Sequence, residues 1–198
     1  MAPVTQVLLI ANVAVFLLQS VAEPLLVAYF ALWPLHGPTG GQPGFAPWQL
    51  FTYSFLHGGT MHLLFNMLAL YMFGSDIERV FGSRRFASYY FICVITAALA
   101  QLLVATLTMG PPVPTVGASG GVFGLLLAFG LYFPRRMVML IFPPIPMPAW
   151  LFVTLYGALE LFLGVTGTQQ GVAHFAHLGG MLGGYVTIRY WRGRSRFR

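Results

Sequence analysis

Long apolar segments that carry almost no charge constrain this chain more than any other feature of its sequence. They lie at about residues 4–19, 61–73 (continuing to 80), 86–109, 118–133, 149–165 and 172–190. Only 7% of the residues are charged, whereas a soluble domain carries roughly 25%. The second, fourth and fifth segments are short for a span of about 20 residues. The sequence predicts an all-α polytopic membrane protein, a six-transmembrane-helix bundle that forms one domain over residues 1–198.

The stretch between the first two segments, Leu25–Gly59, is the longest part of the chain without a spanning segment. Glu23–Pro24 is expected to break the first helix, because proline interrupts helical hydrogen bonding. The stretch then holds Trp33, Trp48 and many apolar residues that a solvated loop would not need. Tryptophan is enriched at membrane interfaces, so we expect a structured, membrane-lying first loop. No basic residue precedes the first segment, which is therefore expected to be a retained span rather than a secretory signal.

The basic residues are placed asymmetrically along the chain. All of them are arginines, and they follow only the second, fourth and sixth segments. The loops after the first, third and fifth segments carry no basic residue, so the positive-inside rule predicts that both termini are cytoplasmic. The net charge of +6 is thereby explained without a nucleic-acid partner. The tail from Arg189 to Arg198 is expected to contact anionic lipid. The three groups are Arg79, Arg84 and Arg85; Arg135 and Arg136; and Arg189, Arg192, Arg194, Arg196 and Arg198.

Three reactive side chains, those of His62, Ser119 and His177, are predicted to share one layer of the membrane. Helical rise places them about 26, 24 and 18 Å from the first arginine that follows on the same segment. With a hydrocarbon core of about 30 Å, all three lie in its outer half. Polar side chains at such depth are costly and mark a functional site by default.

Small residues provide a way to bring two of these side chains together. The glycines Gly120 and Gly124, and also Gly117 and Gly121, form GxxxG pairs around Ser119, and Gly180 and Gly184 form another pair after His177. Such pairs let membrane helices approach closely. If the fourth and sixth segments pack through them, His177 meets Ser119. On the second segment, Asn66 lies four residues after His62 and shares its helix face. The alternative is that all these residues only pack.

A serine is a weak nucleophile until a neighbouring base takes its proton. Histidine, with an unperturbed pKa near 6.5, suits that task. No acidic residue lies near His177 in the sequence, and nothing places Glu160 of the fifth segment beside it. The sequence therefore favours a Ser119–His177 dyad over a triad, with Glu160 interpreted as structural.

At this point the chain resembles the rhomboid intramembrane serine proteases of the bacterial six-helix type. GxSG alone is a weak motif, but these pieces occur on the matching segments in the matching order and cover essentially the whole chain. The pieces that carry the resemblance are His57…His62-Leu63-Leu64-Phe65-Asn66, Glu78…Gly82, Gly117-Ala118-Ser119-Gly120 and Ala176-His177-Leu178-Gly179-Gly180.

The resemblance implies a role for each matching residue. Ser119 would be the nucleophile and His177 the general base, and the Ser119 backbone N–H with the side chains of His62 and Asn66 would form the oxyanion hole. The residues that pack around them would be Gly117, Phe123, Gly180 and Gly184. Two positions depart from the family pattern: Phe123 replaces a tyrosine that stacks on the histidine in some members, and Gln49 replaces a frequent arginine.

The resemblance also implies the setting. The substrates would be transmembrane proteins cut near the outer end of a helix, with water as the other reactant and the lipid bilayer as the medium. A gate formed by the second and fifth segments, with the loop before the sixth segment, would admit them. The short fourth helix would start inside the membrane. No cofactor and no metal are implied, and the location would be the bacterial inner membrane.

Other functions remain open from the residues alone. His62, His174 and His177 could bind a metal, although the HxxH spacing lacks the acid of a membrane zinc enzyme. A non-catalytic rhomboid-like binder of membrane helices is a second alternative. A transporter would need a polar path, and the inner halves of the segments are nearly all apolar. We expect His174 to bond a loop carbonyl, His57 to anchor a loop, and Glu78 and Arg79 to tie the cytoplasmic loop together.

Overall fold

The computed structural model describes residues 1–35, 43–108, 113–139, 144–167 and 172–195. Within these ranges a 3₁₀ turn spans Tyr53–Phe55 and a π turn spans Leu70–Gly74. A two-stranded antiparallel hairpin pairs β1, Met137–Met139, with β2, Pro146–Pro148. The helices are α1 (Pro3–Phe30), α2 (Gln49–Thr52), α3 (Thr60–Ala69), α4 (Ser75–Phe81), α5 (Ser83–Thr108), α6 (Ser119–Tyr132), α7 (Ala149–Thr166) and α8 (His174–Ser195).

The mostly helical fold of a multi-pass membrane protein is confirmed. Three of the described helices, α1, α5 and α7, are each long and apolar enough to cross a bilayer. The helix α6 is apolar but shorter, and α8 ends in arginines, which lower its mean hydropathy. Large apolar side chains are exposed along the outer faces of these helices, as lipid-facing residues are. Examples are Val7, Leu17, Leu103, Leu107, Phe162, Val165 and Leu182.

The predicted break of the first helix at Glu23–Pro24 is confirmed, because Ala22 is non-helical at φ −136° and ψ 26°. A second helical stretch then continues to Phe30, which was not predicted. A proline removes one amide hydrogen bond and its ring kinks the helix, which can resume after it. The first loop therefore begins about six residues later than predicted, and its described part contains α2 and the 3₁₀ turn.

Several expectations fall outside the described residues. They are the middle of the first loop (36–42), the Gly110–Pro112 end of the third segment, and the tail arginines Arg196 and Arg198.

The hairpin of β1 and β2 was not predicted from the sequence. Its second strand, Pro146–Pro148, contains two prolines, and proline is a poor signal for a strand because it cannot donate a ladder hydrogen bond.

Helix α6 occupies the centre of the bundle, packed against α5, α7 and α8. Ten of its fourteen residues are buried, from Gly120 to Gly130. A helix that is apolar on all sides suits such a position. Its first residue, Ser119, is thus held at the meeting point of several helices.

The other end of the bundle is organised by Glu78. Its buried carboxylate accepts hydrogen bonds from the backbone N–H of Val4 (3.0 Å) and of Thr5 (2.8 Å), from the Thr5 hydroxyl and from the Ser83 hydroxyl. A negative charge at the first turn of α1 also complements the helix dipole. Glu78 therefore joins the starts of α1 and α5 to α4, whereas the sequence assigned it only to a loop.

The arginine groups meet at this same end. Asp76 bonds to both Arg79 and Arg136, which joins the ends of α4 and α6. The Arg85 guanidinium lies 5.9 Å from the ring centre of Trp191, and the Arg192 guanidinium stacks over a ring of α6. The N-terminus and the described basic groups therefore share one end of the molecule.

We expect Glu78→Ala to lower the free energy of unfolding by about 2–4 kcal/mol, because it leaves buried amide and hydroxyl groups without their charged acceptor. Thermal unfolding in detergent measures the loss. Asp76→Ala is the matched control: its arginine partners are exposed, so the cost should be about 0–1 kcal/mol. Equal losses in the two variants would contradict this account of Glu78.

Candidate active site

The loop before α6 is held in place by the first loop. Thr115 and Leu32 exchange two backbone hydrogen bonds of 2.9 and 3.0 Å. The Gly117 N–H donates to the Tyr53 carbonyl at 3.0 Å, and the Tyr53 hydroxyl donates to the Val94 carbonyl of α5. Residues 115–117 are therefore fixed on both sides, and the position of Ser119 follows from them.

Gly117 lies in this loop and not in a helix seam, so its predicted GxxxG role with Gly121 is wrong. Its φ of +127° is rarely adopted by other residues. A side-chain carbon there would lie 2.7 Å from Cε1 of His62 and 3.7 Å from Oγ of Ser119. Gly117 thus keeps open the space between the serine and the His62 ring.

The backbones of helices α6 and α8 are in direct contact. A Cβ on Gly180 would lie 2.1 Å from the carbonyl oxygen of Gly120, so the predicted contact between the two glycine stripes is confirmed at this pair. The neighbouring glycines receive side chains of α5 instead: Gly124 faces Cys93 and Gly184 faces the Tyr89 hydroxyl. The Gly120–Gly180 pair is the tightest of these contacts, and a Cβ on Gly124 would also lie 3.3 Å from the Gly180 carbonyl oxygen.

This approach places His177 on Ser119. The Nε2 atom of His177 lies 2.8 Å from Oγ of Ser119. Its ring stacks on Phe123 with centroids 4.2 Å apart and planes 5° apart, so a phenylalanine fills the stacking position that a tyrosine fills in similar proteins. The pair has the geometry of a base that can take the serine proton.

Glu160, which the sequence alone could not place beside His177, lies next to its ring. The Oε2 atom of Glu160 lies 2.8 Å from Nδ1 of His177 and 2.7 Å from Nδ1 of His174. Helix α7 packs on α8, where a Cβ on Gly164 would lie 3.2 Å from that of His174, and this packing carries Glu160 to the histidines. We expected His174 to form a hydrogen bond with a loop carbonyl, but its Nδ1 atom lies beside the Glu160 carboxylate instead.

His62 and Asn66 lie on the facing side of the serine. Nδ1 of His62 accepts the Gly58 N–H at 3.3 Å, so its Nε2 carries the proton of the neutral ring and borders the space at Gly117. The Asn66 amide donates to the His62 carbonyl at 2.9 Å with one of its two hydrogens. The Ser119 N–H, at the start of α6, has no acceptor within its own helix. His62, Asn66 and Ser119 therefore line the same cleft.

One supporting residue, Gln19, was missed in the sequence. The buried Gln19 of α1 accepts the His57 N–H at 2.9 Å and donates to the His57 carbonyl at 3.2 Å. His57 in turn packs edge-on against His62, at 5.2 Å between ring centroids. Burial, and then the nearby His62, lower the pKa of His57 to about 4, so this ring is neutral at pH 7. A glutamine in an apolar span was the available signal for Gln19.

Gln49 makes several hydrogen bonds within the first loop. Its side chain accepts the Trp33 N–H at 3.1 Å and donates to the Gly44 carbonyl at 3.2 Å. A buried neutral side chain, with 1% of the residue exposed, thus ties together two parts of the first loop.

A cavity of about 1400 Å³ opens over these side chains, between α3 and α7. Ser119, His177, His62 and Asn66 all line it. Most of the remaining wall is apolar, from Phe65, Ala69 and Met72 on one side and Phe152, Leu155 and Leu159 on the other. The polar groups therefore converge at one end of an apolar cleft.

The metal alternative takes a different form from the predicted one. Donor atoms of Glu160, His174 and His177 lie within 4.8 Å of one another, so the histidine pair has an acid, and His62 is not part of the group. The two oxygen–nitrogen distances of 2.7 and 2.8 Å are those of hydrogen bonds. Two ligands of a tetrahedral zinc ion with bonds of about 2.0–2.1 Å stand about 3.3 Å apart. The arrangement is therefore a hydrogen-bonded one.

Comparison with known proteins gives one consistent family. A profile of the Rhomboid domain matches residues 44–194. Rhomboid protease GluP of Bacillus subtilis is 32% identical over 140 residues, covering 70% of this chain and 25% of that protein. Rhomboid protein 1, mitochondrial, of Saccharomyces cerevisiae is 33% identical (67% and 38% covered). Rhomboid protease AarA of Providencia stuartii is 29% identical (68% and 53% covered). The chain thus spans about a quarter to a half of these relatives.

We expect Gly180→Ala to destabilise the fold by about 1–3 kcal/mol, because the new methyl group forces the backbones of α6 and α8 apart. Gly193→Ala, in the same helix with open space around it, should leave stability unchanged or raise it by up to about 1 kcal/mol. Thermal unfolding of the two variants side by side gives the difference. Equal midpoints would show that the contact at Gly180 can relax without cost.

Proposed function

Because this chain belongs to the rhomboid family, whose domain spans residues 44–194, we propose that it is an intramembrane serine endopeptidase. The observation that supports this best is the 2.8 Å contact of His177 Nε2 with Ser119 Oγ, at the end of a cleft that hydrogen-bond donors line. The substrate is a transmembrane segment of another membrane protein, cut near the outer face.

In the first half of the reaction, Ser119 Oγ attacks the scissile carbonyl carbon while His177 Nε2 takes the serine proton. The carbonyl oxygen becomes an oxyanion. When the tetrahedral intermediate collapses, the C–N bond breaks and the leaving amine takes the proton from His177. In the second half, water attacks the acyl-enzyme with His177 again as the base, which releases the new carboxyl end and restores the Ser119 hydroxyl.

The oxyanion is stabilised by three N–H groups in this proposal: the backbone of Ser119, Nε2 of His62 and Nδ2 of Asn66. The start of α6 adds the positive end of a helix dipole at the point where negative charge develops. Such donors act in a site that is partly screened from water, where they are worth more than in water.

The substrate enters through the cleft between α3 and α7. The walls of the cleft are apolar, as suits a segment arriving from the bilayer. Peptide bonds in a transmembrane helix are protected by their own hydrogen bonds, so the segment must unwind before its carbonyl reaches Ser119. Substrates with helix-breaking or small residues near the outer end are therefore favoured.

The membrane arrangement belongs to the same proposal. Residues 1–198 form one domain with six spans, α6 starts inside the membrane, and the first loop lies in the interface. Both termini face the cytoplasm of a bacterial inner membrane. This is supported by the Glu78 contacts with the start of α1 and by the Asp76–Arg136 pair, which put the N-terminus beside the basic ends of α4 and α6.

We expect Ser119→Ala and His177→Ala each to abolish cleavage of a transmembrane substrate reconstituted with the protein in liposomes. The substrate should carry glycine or proline near one end of its span, and cleavage is followed by mass spectrometry of the fragments. A chelator should leave the parent activity unchanged. Cleavage that survives Ser119→Ala would refute this mechanism, and a folded parent that binds the substrate without cutting it would be a non-catalytic helix binder.

We expect His62→Ala and Asn66→Ala each to lower kcat by about 10²–10³-fold with little change in KM, because an oxyanion donor acts mainly in the transition state. Initial rates at several substrate concentrations separate the two constants. If KM rises and kcat stays at the parent value, these side chains bind substrate rather than stabilise the oxyanion.

A further inference from the structure

Glu160 lies on the side of the His177 ring opposite Ser119, and we propose that it is a positioning residue for the catalytic histidine. It holds the hydrogen of Nδ1, so that Nε2 faces the serine as an unprotonated acceptor. This inference rests on the proposed function, because it assigns a third member to the same Ser119–His177 pair.

The two contacts of the ring determine its tautomer. Nδ1 lies 2.8 Å from the Glu160 carboxylate and Nε2 lies 2.8 Å from Ser119 Oγ. An ionised carboxylate can only accept hydrogen bonds, so the nitrogen beside it must donate. A neutral imidazole has one N–H, which leaves Nε2 as the acceptor for the serine O–H. Without Glu160 the ring could carry its hydrogen on Nε2 and lose its function as a base.

His174 fixes the carboxylate from a second direction. Its Nδ1 lies 2.7 Å from the same oxygen of Glu160, and His174 and His177 are one turn apart at the start of α8. All three side chains are buried, with 5–8% of each residue exposed. A buried carboxylate is tolerable only with such partners. The carboxylate is thus held in place to act on His177.

The contact between Glu160 and His177 also stabilises the protonated His177 ring that forms during the reaction. Once His177 has taken the serine proton, both ring nitrogens carry hydrogen and the ring is positive. The Glu160 oxygen at 2.8 Å then faces a full charge in a site with little water, where opposite charges attract more strongly than in water. Phe123, stacked on the ring, prevents tilting, and Glu160 prevents rotation.

Titratable groups surround this chain of contacts on several elements. Tyr156 of α7 packs on Phe123 at 5.6 Å between ring centroids and lines the cleft with His62 of α3. His174 of α8 is the third titratable group near these contacts. None of these replaces the acceptor at Nδ1, because Glu160 lies at hydrogen-bond distance from that atom. The alternative functions for Glu160 are a purely structural tie between α7 and α8, and a metal ligand.

The experiment compares Glu160→Gln, Glu160→Asp and His174→Asn in the liposome cleavage assay. Glutamine keeps the shape but removes the charge, and its amide can present a donor to Nδ1. We expect Glu160→Gln to lower kcat by about 10⁴-fold with KM within about twofold of the parent, as loss of the orienting acid does in serine hydrolases. Glu160→Asp should retain more activity than Glu160→Gln, and His174→Asn should lose less than about tenfold.

A second measurement reads the His177 ring in the unmodified protein and does not depend on how the Glu160 variants fold. Nitrogen-15 NMR of the histidine rings at neutral pH should show His177 as the Nδ1–H form, assigned by comparison with His177→Asn. If His177 carries its hydrogen on Nε2, the proposal is overturned. It is also overturned if Glu160→Gln keeps the parent kcat and loses only thermal stability, or if a chelator abolishes activity and Zn²⁺ restores it.

The two proposals fail in different ways. If the parent protein cuts no substrate and Ser119 does not react with serine-directed reagents, the protease function fails. The NMR form of the His177 ring still tests the role of Glu160 in that case.

Discussion

The direct backbone contact of α6 with α8 is the constraint on which the site depends. At Gly120 and Gly180 there is no room for a side chain, and only this closeness lets a histidine at the start of one helix reach a serine at the start of the other. Membrane helices gain little from the hydrophobic effect on association and rely on such close packing. Small residues of the bundle therefore lie where two reactive groups must meet.

The remaining parts of the fold hold this contact in register. The first loop fixes residues 115–117 through Leu32 and Tyr53, so the serine cannot move along its own loop. Helix α1 contributes Gln19, which holds the backbone beside the His62 ring. At the opposite end Glu78 fastens α1 to α4 and α5. Polar side chains that a membrane disfavours are thus paired with partners from distant segments.

Much of the fold and of the candidate site was predictable from the sequence, and the predictions that failed share a cause. Ser119, His177, His62 and Asn66 were found because each lies in a local motif of fixed spacing and depth. The helical segments followed from uninterrupted apolar composition. Gly117 was misplaced, since a glycine in a turn and one in a helix seam look alike in sequence. Glu160 was set aside because its partners lie on another helix, beyond residues 168–171, and only packing brings them together. The length of α1 was missed because a proline can bend a helix as well as end it.

The central claim is that Ser119 is a nucleophile activated by His177. Its most direct test is to expose the purified, folded protein to a fluorophosphonate, digest it, and locate the adduct by mass spectrometry. The account predicts a single adduct on the Ser119 oxygen, absent from His177→Ala and unaffected by a chelator. An adduct on another residue, or none on a protein shown to be folded, would contradict it.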